Sequence, residues 1–218
     1  MNDSKRPAQT TRMAIAAALL LLAGAEAAPA EEGVRPEDAA AAQVIRGFND
    51  TMVSVLKDAE SLGYKGRFDR LRPVLDQTFE LAFMAEKALG RFWQNLSETE
   101  RTQWKATFAD FMAANYASRL LKYNNQTFDV VSSQGAANET AIVRTKVSEP
   151  GNDDVQLDYR MRQMPAGWRV IDIYYNGTVS ELALRRADYA TVLKKDGFAA
   201  LIASVNQKIA DMQLGTNA

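Results

Sequence analysis

Asp158 and Asp172 are the first residues to weigh for chemistry. They fall on neighbouring candidate strands, and two adjacent carboxylates could divide acid and base work between them. Nothing nearby tunes one against the other, and Arg160, Arg162 and Arg169 are close enough in sequence to pair with them instead. Asn152-Asp153-Asp154 offers oxygen ligands, but it lacks the spacing and terminal Glu of a calcium loop. Such residues make polar hairpin turns as a matter of course. The 218-residue chain contains no His and no Cys. That excludes His-based triads, thiolate catalysis, disulfides and Cys/His zinc sites. No nucleophile elbow, Walker loop or dinucleotide fingerprint is present. The expectation is a protein that is not an enzyme, with no catalytic residue, metal or cofactor.

With 26 Lys+Arg against 27 Asp+Glu, the net charge is -1, so no nucleic-acid partner is indicated. One local cluster stands out: Arg185, Arg186, Lys194 and Lys195. It reads either as a solvated helix surface or as a contact for acidic lipid headgroups or a partner protein.

The elements that must position these residues follow from periodicity. Residues 36–62 carry Val44, Phe48, Met52, Val55 and Leu56 at helical spacing, ending at Gly63 and Gly66. A second helical stretch, Phe68 to Phe79, is interrupted by Pro73, which predicts a break or kink near Arg72. Leu81 to Leu89 is helical, with Gly90 as its C-terminal cap. Ser97-Glu98-Thr99-Glu100 is a capping box, and the helix it opens carries Trp104, Phe108, Phe111, Met112 and Leu120 along one broad face.

Four strands follow: Thr127–Val131, Ala141–Val147, Val155–Met161 and Trp168–Tyr175. The third alternates cleanly. Val155, Leu157, Tyr159 and Met161 share one face; Gln156, Asp158, Arg160 and Arg162 share the other. The fourth is apolar on both faces apart from Arg169 and Asp172, so it belongs inside the sheet. After Asn176-Gly177 the pattern is helical again, from Val179 or Ser180 to Leu193, then beyond Gly197. The fold class is therefore α+β: helices packed on one face of a mainly antiparallel four-stranded sheet, with an apolar pocket between them.

The N-terminus reads as an address. Lys5, Arg6 and Arg12 precede the uncharged run Met13–Ala25, followed by the small-x-small sites Ala25-Glu26-Ala27 and Ala28-Pro29-Ala30. This is the layout of a secretory signal peptide spanning residues 1–30, cleaved after Ala30 or alternatively Ala27. An uncut N-terminal anchor is the competing reading. Residues 31–218 would form the mature domain, and an exported, cysteine-free chain suits a bacterial periplasm.

Several short motifs occur in one order: Leu89-Gly90-Arg91-Phe92-Trp93, Leu96-Ser97-Glu98-Thr99-Glu100-Arg101, the Phe108–Tyr123 helix, Leu157-Asp158-Tyr159-Arg160-Met161 and Gly167-Trp168-Arg169-Val170-Ile171-Asp172-Ile173. Together they resemble the MlaC, or toluene-tolerance, family of periplasmic lipid-binding proteins over roughly residues 40–212. The tail from Asn176-Gly177-Thr178-Val179-Ser180 to Arg185-Arg186-Ala187-Asp188-Tyr189 resembles the hopanoid-associated HpnM branch. Ser180 and Arg186 fit the phospholipid-branch pattern only with a one-residue shift. The resemblance implies a carrier of hopanoid, or alternatively of glycerophospholipid. It would exchange cargo with an inner-membrane lipid transporter and an outer-membrane lipoprotein complex. A cargo-free interaction module is the alternative from another class.

The pocket expected from this reading takes Val143, Leu157, Tyr159, Met161, Ile171, Ile173 and Tyr175 from the sheet. From the helices and their approach it takes Trp104, Phe108, Phe111, Tyr116, Leu120, Val179 and Leu182. On the opposite choice of face for the fourth strand, Val170 and Tyr174 replace Ile171 and Tyr175.

Overall fold

The computed structural model describes residues 36–215. The expected signal peptide, residues 1–30, and its cleavage sites lie outside them. Among the described residues the chain forms helices α1 (Pro36–Lys57), α2 (Ala59–Thr78), α3 (Leu81–Leu89) and α4 (Glu98–Arg119), with a 3-10 turn, Gly90–Asn95, before α4. The sheet follows as β1 (Thr127–Ala136), β2 (Thr140–Ser148), β3 (Val155–Met164), β4 (Gly167–Tyr175) and β5 (Val179–Ser180). Helices α5 (Glu181–Lys195) and α6 (Gly197–Leu214) close the domain. No helix among the described residues is long and apolar enough to cross a membrane.

The capping box forms as its sequence predicts. Ser97 Oγ accepts the Glu100 N–H at 3.3 Å, and the Ser97 N–H donates to Glu100 Oε2 at 2.8 Å. Helix α4 is the centre of the helical layer, packed against α2, α3 and α6. It buries Trp104, Phe108, Phe111 and Met112. Arg67 ties α2 to its far end: Nε donates to the Ala117 carbonyl at 2.9 Å and Nη1 to that of Ala59 at 2.8 Å. A cation on the last carbonyls of a helix complements the dipole there.

The sheet is an antiparallel meander in the order β1-β2-β3-β4-β5, and α1 lies across β1 and β2. Asn49 on α1 donates to the Phe128 carbonyl at 3.1 Å, and Ser133 donates to the Asp38 carbonyl at 2.6 Å.

Three expectations need correction. The sheet has five strands, not four. Asn176 and Gly177 take φ of 48° and 69°, the left-handed pair of a type I′ hairpin turn, and fold Val179–Ser180 back onto β4. Val179 and Ser180 therefore belong to β5 before Ser180 caps α5. The first helix ends at Lys57, short of Leu62; Gly63 does leave helical geometry (φ 56°, ψ -174°), but inside α2, and Pro73, where a break near Arg72 was expected, stays within that helix. Finally, β4 does not alternate along its whole length. Arg160 pairs with Asp172 but Met161 pairs with Val170, so Ile171 is an extra, bulged residue. Val170 and Ile173 are both buried in the core, and Ile171 is turned to the other face. A second irregularity lies in β1, where the register with β2 shifts between Val130 and Ser132.

Candidate functional site

A cavity of about 240 Å³ opens between the last turns of α4 and the inner face of the sheet. The helices supply Met52, Met112, Tyr116 and Leu120 to its wall. The strands supply Phe128, Val147, Val155, Leu157, Ile173 and Tyr175. The pairing register explains the sheet wall: Phe128 sits across from Val147, Val147 from Val155, and Leu157 from Tyr175. Asn115, Arg119 and Glu181 supply the polar part of the lining. A dry cavity of about 150 Å³ holds a benzene-sized guest, so this space admits part of an apolar chain.

An aromatic cluster backs the cavity. Phe48 and Phe79 stand 5.3 Å apart in edge-to-face contact, and Phe48 meets Tyr116 at 5.6 Å and Tyr159 at 6.3 Å. Tyr116 faces the void; Phe48, Phe79 and Tyr159 are buried behind it. Burial pushes the Tyr116 and Tyr159 hydroxyls well above the ordinary tyrosine range, and the two are hydrogen-bonded to each other. Burial also raises Tyr175, with Glu181 adding to the effect and Arg119 and Arg185 opposing it. All three stay neutral at ordinary pH.

Glu181 is the carboxylate in the lining, and it is neutralised. Arg185 Nε donates to its Oε1 at 2.7 Å, while the same guanidinium lies 4.4 Å over the ring of Phe111. No cluster of acidic residues suited to a metal occurs among the described residues. The walls are therefore mostly apolar and suited to apolar matter, with hydrogen-bonding groups from Asn115, Arg119, Glu181 and the tyrosine hydroxyls.

Of the fourteen residues expected from sequence, five line the cavity: Tyr116, Leu120, Leu157, Ile173 and Tyr175. Trp104, Phe108, Val143, Tyr159 and Met161 are core residues behind it. Trp104 donates its indole N–H to the Ala85 carbonyl at 2.8 Å, the bond its burial demands. Phe111 faces a second groove, about 730 Å³, on the other side of α4, which shares Asn115 and Arg119 with the cavity. Ile171 and Leu182 line a cleft on the opposite face of the sheet, and Val179 on β5 is 42% exposed.

Sequence reasoning missed Met52, Met112, Asn115, Arg119, Phe128, Val147, Val155 and Glu181. One signal was available: Val155 shares the alternating face of Leu157. The conceivable Asp158–Asp172 pair does not face the cavity. Asp158 accepts from Gln156 at 2.9 Å and lies 3.7 Å from Arg144. Asp172 is bound up in the β4–α5 connection, accepting from Ser180 Oγ at 2.6 Å and from the backbone N–H groups of Ile173 and Leu182.

The fold and the sequence both have counterparts among known proteins. A phospholipid-binding protein from Ralstonia solanacearum, solved in complex with a phospholipid, superimposes with a TM-score of 0.69. The match covers 79% of this chain and 98% of that one at 24% identity, and it shows a common fold. The MlaC binding protein of the intermembrane phospholipid transport system from Haemophilus influenzae is 25% identical over 131 residues, 58% of this chain. The match spans 61% of that relative's length. The family model described as MlaC protein matches residues 46–207, from within α1 to within α6. The chain belongs to the MlaC family.

Proposed function

We propose that this chain is a periplasmic carrier of glycerophospholipid, exported by a signal peptide over residues 1–30 and active as the domain 31–218. The observation that carries this reading is the cavity: ten apolar or aromatic side chains around a space whose polar groups are Asn115, Arg119 and Glu181. Acyl chains lie against Tyr116, Leu120, Leu157, Ile173 and Tyr175, with Met52 and Met112 adapting to chain length. Burial at about 25 cal/mol per Å² holds such cargo without a salt bridge. The headgroup stays at the polar rim. The cavity is smaller than the range of about 300–1,000 Å³ usual for ligand sites, so a diacyl lipid enters as the walls part.

The names of the relatives support phospholipid as cargo. The Haemophilus protein is a binding protein of intermembrane phospholipid transport, and the Ralstonia protein was solved with a phospholipid bound. An inner-membrane lipid transporter and an outer-membrane lipoprotein complex are the exchange partners. The hopanoid reading rests on the tail motif Asn176–Tyr189 and is second. No reaction is assigned.

Native mass spectrometry of the protein purified from its own host, followed by solvent extraction, tests both. A stoichiometric diacyl phospholipid is expected. A triterpenoid replaces the cargo and keeps the carrier. A protein that is bare and takes up no lipid from vesicles is an interaction module instead.

A further inference from the structure

The outer face of β3 and β4 carries a cluster of basic side chains. A cleft of about 360 Å³ lies between that face, helix α3 and the first turns of α5. Four cations line it from three separate elements: Lys87 on α3, Arg160 and Arg162 on β3, and Arg186 on α5. One carboxylate, Asp172, lines it too, and both its oxygens are engaged by Ser180 and by backbone N–H groups. The nearby ion pairs do not neutralise the arginines. Lys87 pairs with Glu86 at 2.7 Å, and Arg144 with Asp158 at 3.7 Å. Among the described residues, no carboxylate lies within ion-pair distance of Arg160, Arg162 or Arg186.

The Arg162 side chain is held in place by packing, and the stem of exposed Arg186 lies close to Gly90. The Arg162 guanidinium lies 4.3 Å over the ring of Phe83, and its Nε is buried without a hydrogen-bond partner. The stem of Arg186 fits against Gly90, where an added Cβ would come within 2.9 Å of Arg186 Cδ. A half-buried guanidinium without an anion is costly, and a fork held by packing is ready for one. Donors supplied by three elements around one cleft suit a tetrahedral group with acceptors all round better than a flat carboxylate.

We propose that this cleft binds a phosphate group, as a phosphomonoester or phosphodiester, independently of the apolar cavity. The test uses the full mature chain, side-chain NMR of the arginine Nε–H groups and thermal unfolding. The probes are inorganic phosphate, glycerol 3-phosphate and glycerophosphoglycerol, against chloride at matched ionic strength. The phosphate probes should shift the Arg162 signal and raise the unfolding temperature beyond the effect of chloride. Arg160→Gln with Arg162→Gln should weaken binding by at least about tenfold. Arg70→Gln, which removes one positive charge from a surface pair with Asp58 and matches Arg186→Gln in charge, should not. Because Arg162 packs on Phe83, the exposed Arg186→Gln supplies the same test where the double variant does not fold. A preference for the diester assigns the site to a lipid headgroup, and a preference for the monoester or free phosphate assigns it to a small solute. A response equal to that of chloride, or one that persists in the folded Gln variants, overturns the proposal.

Discussion

The two faces of one pair of strands do opposite things with charge. On the inner face of β3 and β4, Leu157, Ile173 and Tyr175 bound an apolar cavity, and the one acidic side chain there, Glu181, is matched by Arg185. On the outer face, Arg160 and Arg162 stand without carboxylate partners beside an Asp172 already committed to the backbone. Strand alternation makes this division possible, because successive side chains point to opposite faces. The first turn of α5 is shared: Glu181 faces the cavity, while Ser180 and Leu182 face the cleft. A wall one strand thick thus separates a region that excludes charge from one that accumulates it.

The largest effect should come from the core behind the cavity. Trp104 is fully buried and hydrogen-bonded, so Trp104→Ala is expected to cost about 3–5 kcal/mol in urea unfolding. Leu157→Ala, which enlarges an existing space, should cost no more than about 2 kcal/mol. Equal costs would erase the distinction between wall and core. Next is charge on the inner face. Leu157→Glu should fold, as judged by circular dichroism, and lose its lipid load, because an unpaired carboxylate in a dry pocket costs several kcal/mol. Leu184→Glu, on a side chain already 50% exposed, should keep the load. A folded Leu157→Glu with a full load would move the cargo elsewhere.

The shared turn should show a smaller effect. Ser180 caps α5 by accepting from Ala183 at 3.0 Å and also donates to Asp172, so Ser180→Ala should lower stability by about 1 kcal/mol. The smallest change belongs to pH in the ordinary range. Tyr116, Tyr159, Tyr175 and Tyr189 are all raised by burial, Tyr189 up to about 12. Unfolded tyrosines lose their protons near about pH 10. Stability from these groups is complete below that pH and falls as the pH rises beyond it, because the unfolded chain sheds protons first. Urea midpoints should be level with respect to these groups up to about pH 9 and then decline.

The sequence made local structure readable. Ser97 and Glu100 announced α4, Gly90 the end of α3, and the Val155–Met161 alternation the faces of β3. What it hid depended on partners distant in the chain. The cavity takes Phe128, Val147 and Met52 from β1, β2 and α1, and only the register and the docking of α1 bring them beside Leu157. Strict alternation assigned Ile171 to the pocket, but a bulge opposite the Arg160–Met161 step turned it outward. Helical patterning after Asn176-Gly177 masked a two-residue strand, although that dipeptide is the strongest short hairpin signal. Gly63 was readable as a break, since its φ of 56° leaves helical geometry, whereas Pro73 is accommodated within α2.

The bulge in β1 bears on how copies of the protein meet. Among the described residues β1 is an edge strand of the sheet, ten residues long, and an edge strand can template strands from other molecules. Its ladder shifts between Val130 and Ser132, and Val131 projects there at 65% exposure. The irregularity twists the rim midway and leaves no straight ledge of matching length. A bulge on an edge strand is one of the irregularities that discourage a second strand from pairing along it.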